Sequence, residues 1–401
     1  MRLAWIVSSA DPRSASFRYR CLMPAWGLRQ LGCRSTIFSG RLPSPEAFDA
    51  LIVVKLADAR LQEVANAFRS RGKPVYFDLC DNVFIPGYAQ RQDPGLSGGS
   101  AAELARRATA VVTPTAALAR VVKDHVATGR EPSIIPDAAL TFDAYQAMSA
   151  WLPDRLAQGR PRCAAAGWRG LFDGVLGRSA RSRSAFVADE PRDRTSEPFD
   201  AESDWQAEHL PRDTARIVWF GRHGSFHSGF GMNLLRPLLP ELERLHRDRP
   251  IELVVISNNR HRFETLAAGA RFFTRYQSWS SERVFFELSR ADLFVMPNGA
   301  DAFARCKSAN RAVLALAHNV PVAASYLESL EPLRDSLVLD DWRGGIEAYL
   351  LDDVPARIHL ARAQELIAGT FSIEAVARQW HALLRCGEIV TSGGTSRPCA
   401  A

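Results

Sequence analysis

Lysine is scarce in this chain. Only four of its fifty basic residues are lysines, Lys55, Lys73, Lys123 and Lys307, and none but Lys307 follows Lys123. The net charge of +6 is therefore carried almost wholly by arginine, and it is dispersed. Such an excess is too weak to argue for nucleic acid, and no nucleic-acid partner is expected; it does permit contact with anionic lipid head groups or acidic glycans. No apolar stretch reaches the ~18–20 residues that span a bilayer. Residues 1–7 are short and strand-like where a signal peptide would be longer. The expectation is a cytoplasmic protein, with at most peripheral contact at the inner face of the membrane. The seven cysteines show no CxxC or His/Cys spacing, which excludes a zinc-ligand pattern and points to reduced thiols. The GxGxxG fingerprint and the Walker lysine pattern are both missing, as is an apolar strand ending in Asp-x-Asp. Neither a metal nor a cofactor is expected.

What remains is an ordinary globular composition, 401 residues with 47% apolar, enough for two domains with separate cores. Strand-like runs at 3–8, 35–38, 51–55, 75–79, 110–113 and 133–135 alternate with amphipathic stretches at 18–31, 59–71 and 101–107. This alternation predicts a parallel sheet covered by helices over 1–140. From 141 to 213 the pattern fails, apart from a helical stretch at 142–156. The charged stretch 178–213 reads as a linker or partly disordered insertion. Alternation resumes with strands at 217–221, 253–257, 272–276, 293–297, 321–324 and 337–340, and helices at 234–247, 282–289, 310–318 and 346–351. A last helix, 372–386, opens on Ser372 as cap and repeats apolar residues at helical spacing through Trp380 and Leu384; a flexible tail follows at 387–401. The fold class is α/β, two tandem Rossmann-like domains (1–140 and 214–371) with a cleft between them and a C-terminal helix that crosses back.

Functional loops of such folds lie at the C-terminal ends of strands. Lys307 stands just after the run 293–297 and just before a helix. Ser308 can cap that helix, and Lys307 and Arg311 add cations to its positive end. A diphosphate suits such a place, and so does a merely solvated basic turn. Gly221, Arg222, Gly224 and Gly229 form a Gly-rich turn where backbone N–H groups can approach a ligand. Asn258, after the strand at 253–257, can touch a nucleotide or simply make a turn. Trp279, beyond the next strand, can pack on a base or sit in the core. In the first half, Asp78 and Asp81 end a strand. Either can hydrogen-bond or deprotonate an acceptor hydroxyl; alternatively Asp78 is buried against Arg18 or Arg20 and Asp81 is a cap. Arg18 and Arg20 equally suit an anionic acceptor.

The order of these segments resembles the GT-B glycosyltransferases, in particular the retaining family 4, or group 1, type. Strand 217–221 followed by Arg222 is similar to their second-domain opening. Leu293 to Pro297, the Lys307-Ser308 loop and the ending Ala317-His318-Asn319-Val320-Pro321-Val322 resemble their donor-site helix and strand. The resemblance implies a metal-independent, retaining transferase that takes a UDP- or GDP-linked sugar to a glycan or lipid-linked acceptor of the cell envelope. It leaves Lys307, Arg222 and Arg311 to neutralise the donor diphosphate; beside them the loops offer Gly221, Gly224, Asn258 and Ser308 as donor contacts, Arg18 and Arg20 as acceptor contacts, and Asp78, Asp81 and Lys307 as catalytic candidates. Departures accompany it. The family's two glutamates eight positions apart fall on Cys306 and Leu314, the lysine after its Gly-Arg is missing, and its glycine before Pro-Val is Asn319. A nucleotide-sugar epimerase or phosphorylase on the same fold, or a catalytically silent nucleotide-sugar or glycan binder, fits these departures.

Overall fold

A computed structural model describes residues 1–88, 96–127, 129–157, 210–222 and 231–392. Two six-stranded sheets organise them, with strand orders β2-β1-β3-β4-β5-β6 and β12-β11-β10-β7-β8-β9. The first sheet contains β1 (Arg2–Val7), β2 (Arg34–Ser39), β3 (Ala50–Val54), β4 (Val75–Asp78), β5 (Ala110–Thr113) and β6 (Ser133–Ile134). The second contains β7 (Ala215–Phe220), β8 (Ile251–Ser257), β9 (Phe273–Ser278), β10 (Leu293–Met296), β11 (Val322–Ala324) and β12 (Val338–Leu339). Every strand pair is parallel. Parallel strands covered by helices are buried on both faces, which is why β3 and β8 are apolar almost throughout and buried at every position. Each sheet reverses direction once, beside β1 in the first and beside β7 in the second. The crevice for a ligand opens at such a reversal, outside the strand ends.

The helix after β1 is interrupted by a π-turn, Arg18–Leu22, in which all five residues are buried. A wider turn of this kind is common at functional sites, and it turns both Arg18 and Arg20 inward. The last helix runs from Ile373 to Ser392, past the expected end at 386. It crosses to the first domain, where Gly27 of the helix Met23–Gln30 lets the two backbones approach closely. The buried hydroxyl of Tyr76 on β4 donates to the carbonyl of Leu384 at 3.2 Å. Of the described cysteines, Cys21, Cys33, Cys80 and Cys306 are free, whereas Cys386 is disulfide-bonded. That departs from the expectation of reduced thiols, since no CxxC spacing singles out Cys386. Among the described residues no helix is long and apolar enough to cross a membrane.

Candidate functional site

At the reversal of the second sheet, β7 is followed by Gly221 and β10 leads toward Asn298. Behind them rises the helix Asn310–Ala317, with Ala309 in the cap position and no side-chain cap. Arg311, on the first turn of that helix, lies half-buried across the strand ends. Its guanidinium donates only two long bonds, to the Phe220 carbonyl at 3.3 Å and to Asn298 Oδ1 at 3.4 Å. A side chain at Gly221 would meet Arg311 Nη1 at 3.2 Å, so glycine is what lets the cation lie on the strand end. Ser257 at the end of β8 closes the same turn, donating to the Gly221 carbonyl at 2.8 Å. No carboxylate touches Arg311 among the described residues, and burial alone pushes its pKa down to about 10. A cation desolvated without a counter-ion is costly, and an anion brought beside it relieves that cost.

The loop before this helix faces the first domain. Lys307 pairs with Asp81, and Lys55, at the end of β3, reaches the other oxygen of the same carboxylate at 2.6 Å. Burial opposes the charged form of Asp81, but the ammonium groups of Lys307 and Lys55 outweigh it and hold its pKa well below the usual carboxylate range. Lys55 itself takes a left-handed backbone, φ 52°. Ser308 does not cap the helix as expected. Its hydroxyl donates to Asp137 at 2.6 Å, and the Asn310 amide donates to the same oxygen at 3.1 Å. Further ties come from Asn82, which donates to the Ala302 carbonyl, and from Thr115, which donates to that of Cys306. Residues 302–310 are thus held by the first domain's own polar groups.

Asp137 also leads inward. Its second oxygen accepts from Arg20 at 2.9 Å, and Arg20 forms a bidentate pair with Asp78 at 3.0 and 2.7 Å. Arg20 is 1% and Asp78 0% exposed. These two residues have no surface to offer an acceptor in this structure, and the pair is structural: desolvated charges persist only when paired and hydrogen-bonded. Arg18 differs. It is buried and donates to the Pro12 carbonyl at 2.6 Å, but its Nε has no partner among the described residues. Its guanidinium lies 5.1 Å from the ring centre of Trp279, so an arginine from the first domain covers one face of that tryptophan.

The remaining expected residues are dispersed. Arg222 and Asn258 are exposed at the strand ends. Asn259 caps the helix Arg260–Ala267 through the N–H of Arg262. Gly224 and Gly229 lie outside the described residues. Lys55, Asp137 and Asn298 had not been singled out. Lys55 carried a signal, a lysine ending an apolar run, but nothing local showed which carboxylate it faces.

No family model matches the chain, and no curated protein matches it. Solved structures do. A glycosyltransferase from Rickettsia africae superposes with a TM-score of 0.60 at 12% identity, covering 98% of this chain and 99% of that one. The Anabaena protein HepE, in complex with UDP, superposes with a TM-score of 0.57 at 12% identity, covering 96% and 100%. The chain has the GT-B fold. A Listeria monocytogenes protein designated a UDP-N-acetylglucosamine 2-epimerase shares this GT-B architecture, with a TM-score of 0.53 at 12% identity over 99% and 98% of the two chains. Within the GT-B frame, the two positions where the resemblance expects glutamates are buried: Cys306 is 2% and Leu314 5% exposed. The third departure has a physical reason. Asn319 sits at φ 58°, a left-handed position that glycine takes without strain and asparagine tolerates better than most residues.

Proposed function

We propose that this GT-B chain is a glycosyltransferase that binds the diphosphate of a nucleotide sugar at Arg311 and the uncapped start of the helix Asn310–Ala317. The observation that carries the reading is Arg311, a half-buried cation with no carboxylate partner among the described residues at the crevice of the second sheet. Breaking a glycosyl–phosphate bond develops negative charge on the leaving diphosphate. Arg311, helix N–H groups and Lys307 neutralise that charge and need no metal to do so. The HepE structure holds UDP, which supports a UDP-linked donor, with a GDP-linked sugar as the other candidate. Gly221, Arg222, Gly224, Asn258 and Ser308 complete the proposed donor contacts. Arg18, with its unpartnered Nε, is the residue left to meet an anionic group on a glycan or lipid-linked acceptor of the cell envelope. Asp81 serves the acceptor hydroxyl; Asp78 and Arg20, sealed in their pair, are assigned to structure. Retention of configuration follows from the family resemblance.

The buried apolar side chains at 306 and 314 favour a second reading. Without acidic groups there to hold the ribose and sugar, an epimerase or a silent nucleotide-sugar binder uses the same diphosphate site. A donor panel separates the three. Nucleoside diphosphate release that requires an acceptor supports the transferase, conversion of the sugar without an acceptor supports the epimerase, and a thermal shift without either reaction supports the binder. Absence of any shift with UDP, GDP or their sugars removes all three.

A further inference from the structure

The Asp81 carboxylate is shared between two domains, one oxygen to each. Lys55 of the first domain contacts Oδ2 at 2.6 Å, while Lys307 of the second contacts Oδ1. Lys307 stands on the same loop as Ser308 and Asn310, next to the helix start assigned above to the diphosphate. We infer that Asp81 is a transferable counter-ion: a nucleoside diphosphate takes Lys307 from it, leaving the carboxylate on Lys55 with Oδ1 free for an acceptor hydroxyl. This rests on the donor site proposed above and goes beyond it by assigning Lys55 as a positioning residue and an order to the two substrates.

Three observations support the exchange. The pair is not sealed: the side chains of Lys307 and Asp81 keep 31% and 13% of their exposure, in contrast to Arg20 and Asp78 at 1% and 0%. The two lysines use different oxygens, so losing one contact leaves the other in place. Lys55 is the more buried of the two lysines, at 19% side-chain exposure against 31% for Lys307. It can therefore keep the carboxylate oriented when Lys307 leaves. Chemically, a carboxylate clamped by two ammonium groups is a weak base, and release of one makes it a better one. The acceptor-side group thus becomes competent only after the donor has arrived, which disfavours proton abstraction at an empty donor site.

The test uses the full chain and measures UDP and GDP affinity by calorimetry, with circular dichroism to confirm folding. Asp81→Asn removes the internal competitor, and binding tightens by about fivefold or more, the lower end of typical coupling between sites. Lys55→Met leaves Asp81 without a partner once Lys307 departs, so binding weakens by a similar factor; Lys55→Arg restores it. The double variant Lys55→Met with Asp81→Asn binds like Asp81→Asn alone, because no carboxylate remains to be stranded. Unchanged or weaker binding by folded Asp81→Asn overturns the exchange while leaving the donor site standing. Should that variant not fold, unchanged affinity in Lys55→Met overturns it equally. If the wild-type chain binds neither nucleotide, the donor site fails first and the exchange with it.

Discussion

Trp380 of the last helix meets Trp5 of the first strand edge-on, with ring centroids 5.5 Å apart and planes at 62°. Both rings are fully buried. The last helix therefore packs inside the first domain, and the peptide leading to residue 373 joins the two halves.

This junction depends on Gly27. A Cβ there would stand 2.7 Å from Ala377 Cβ and 2.9 Å from Ile373 Cγ2, both on the crossing helix. Gly27→Val is expected to destabilise the chain by about 1–3 kcal/mol, the usual cost of overpacking. Urea unfolding measures it, and Ala377→Gly in the same chain should recover part of the loss. No change in the midpoint would mean that the helix docks without close contact.

Arg20 offers a second test, of structure against acceptor binding. Arg20→Met strands the carboxylate of Asp78 and removes one of the donors to Asp137, and removing one partner of a buried pair costs about 3–5 kcal/mol. The loss should appear in the melting temperature without any ligand present. Replacing Arg20 and Asp78 together by apolar residues should cost less than Arg20→Met alone. If Arg20→Met melts like wild type and alters only acceptor KM, Arg20 is a binding residue after all.

The contrast between Arg20 and Arg311 shows where sequence reading stops. The central strands of both sheets, such as β3 and β8, were legible because strands covered on both faces are nearly continuous apolar runs. Among the described residues three α-helices were not. Arg260–Ala267 is short and polar, and Asp353–Leu366 exposes Val354 and Ile358, which blurs its apolar face. Ala116–Val126 carried a usable signal in Thr115, whose side chain caps it. At the site, Lys307 and Arg311 were visible as cations at a helix start. That Lys307 pairs with Asp81, whereas Arg311 meets the Phe220 carbonyl and Asn298, was not, because those partners come together only in the tertiary fold. Arg18 and Arg20 looked alike, two positions apart, and only the tertiary fold separates the one with a free Nε from the one that is fully paired.

The Asp81 pair gives a pH dependence. Its folded pKa lies below the ordinary carboxylate value, so it contributes stability that is present above about pH 4 and lost as pH falls toward the depressed value. Asp81→Asn should therefore melt below wild type at pH 7, and the gap should narrow as the pH is lowered through 4 to 3. A gap that stays constant over that range would mean the carboxylate is not held by Lys55 and Lys307 in solution.

Arg311 yields the prediction with opposite signs for stability and function. Its charge is half-buried, without a carboxylate partner among the described residues and disfavoured by desolvation, so the ligand-free protein bears a cost that a methionine of similar length would not. Arg311→Met is expected to raise the stability of the empty chain by about 1 kcal/mol, in the range of single stabilising changes. The same variant should lose most of the thermal shift produced by UDP or GDP in wild type, because the cation that made the empty site unfavourable is the one the diphosphate neutralises. A structural arginine would behave otherwise: its loss would lower the melting temperature and leave the nucleotide-induced shift in place. Differential scanning fluorimetry of both proteins, with and without nucleotide, decides between them.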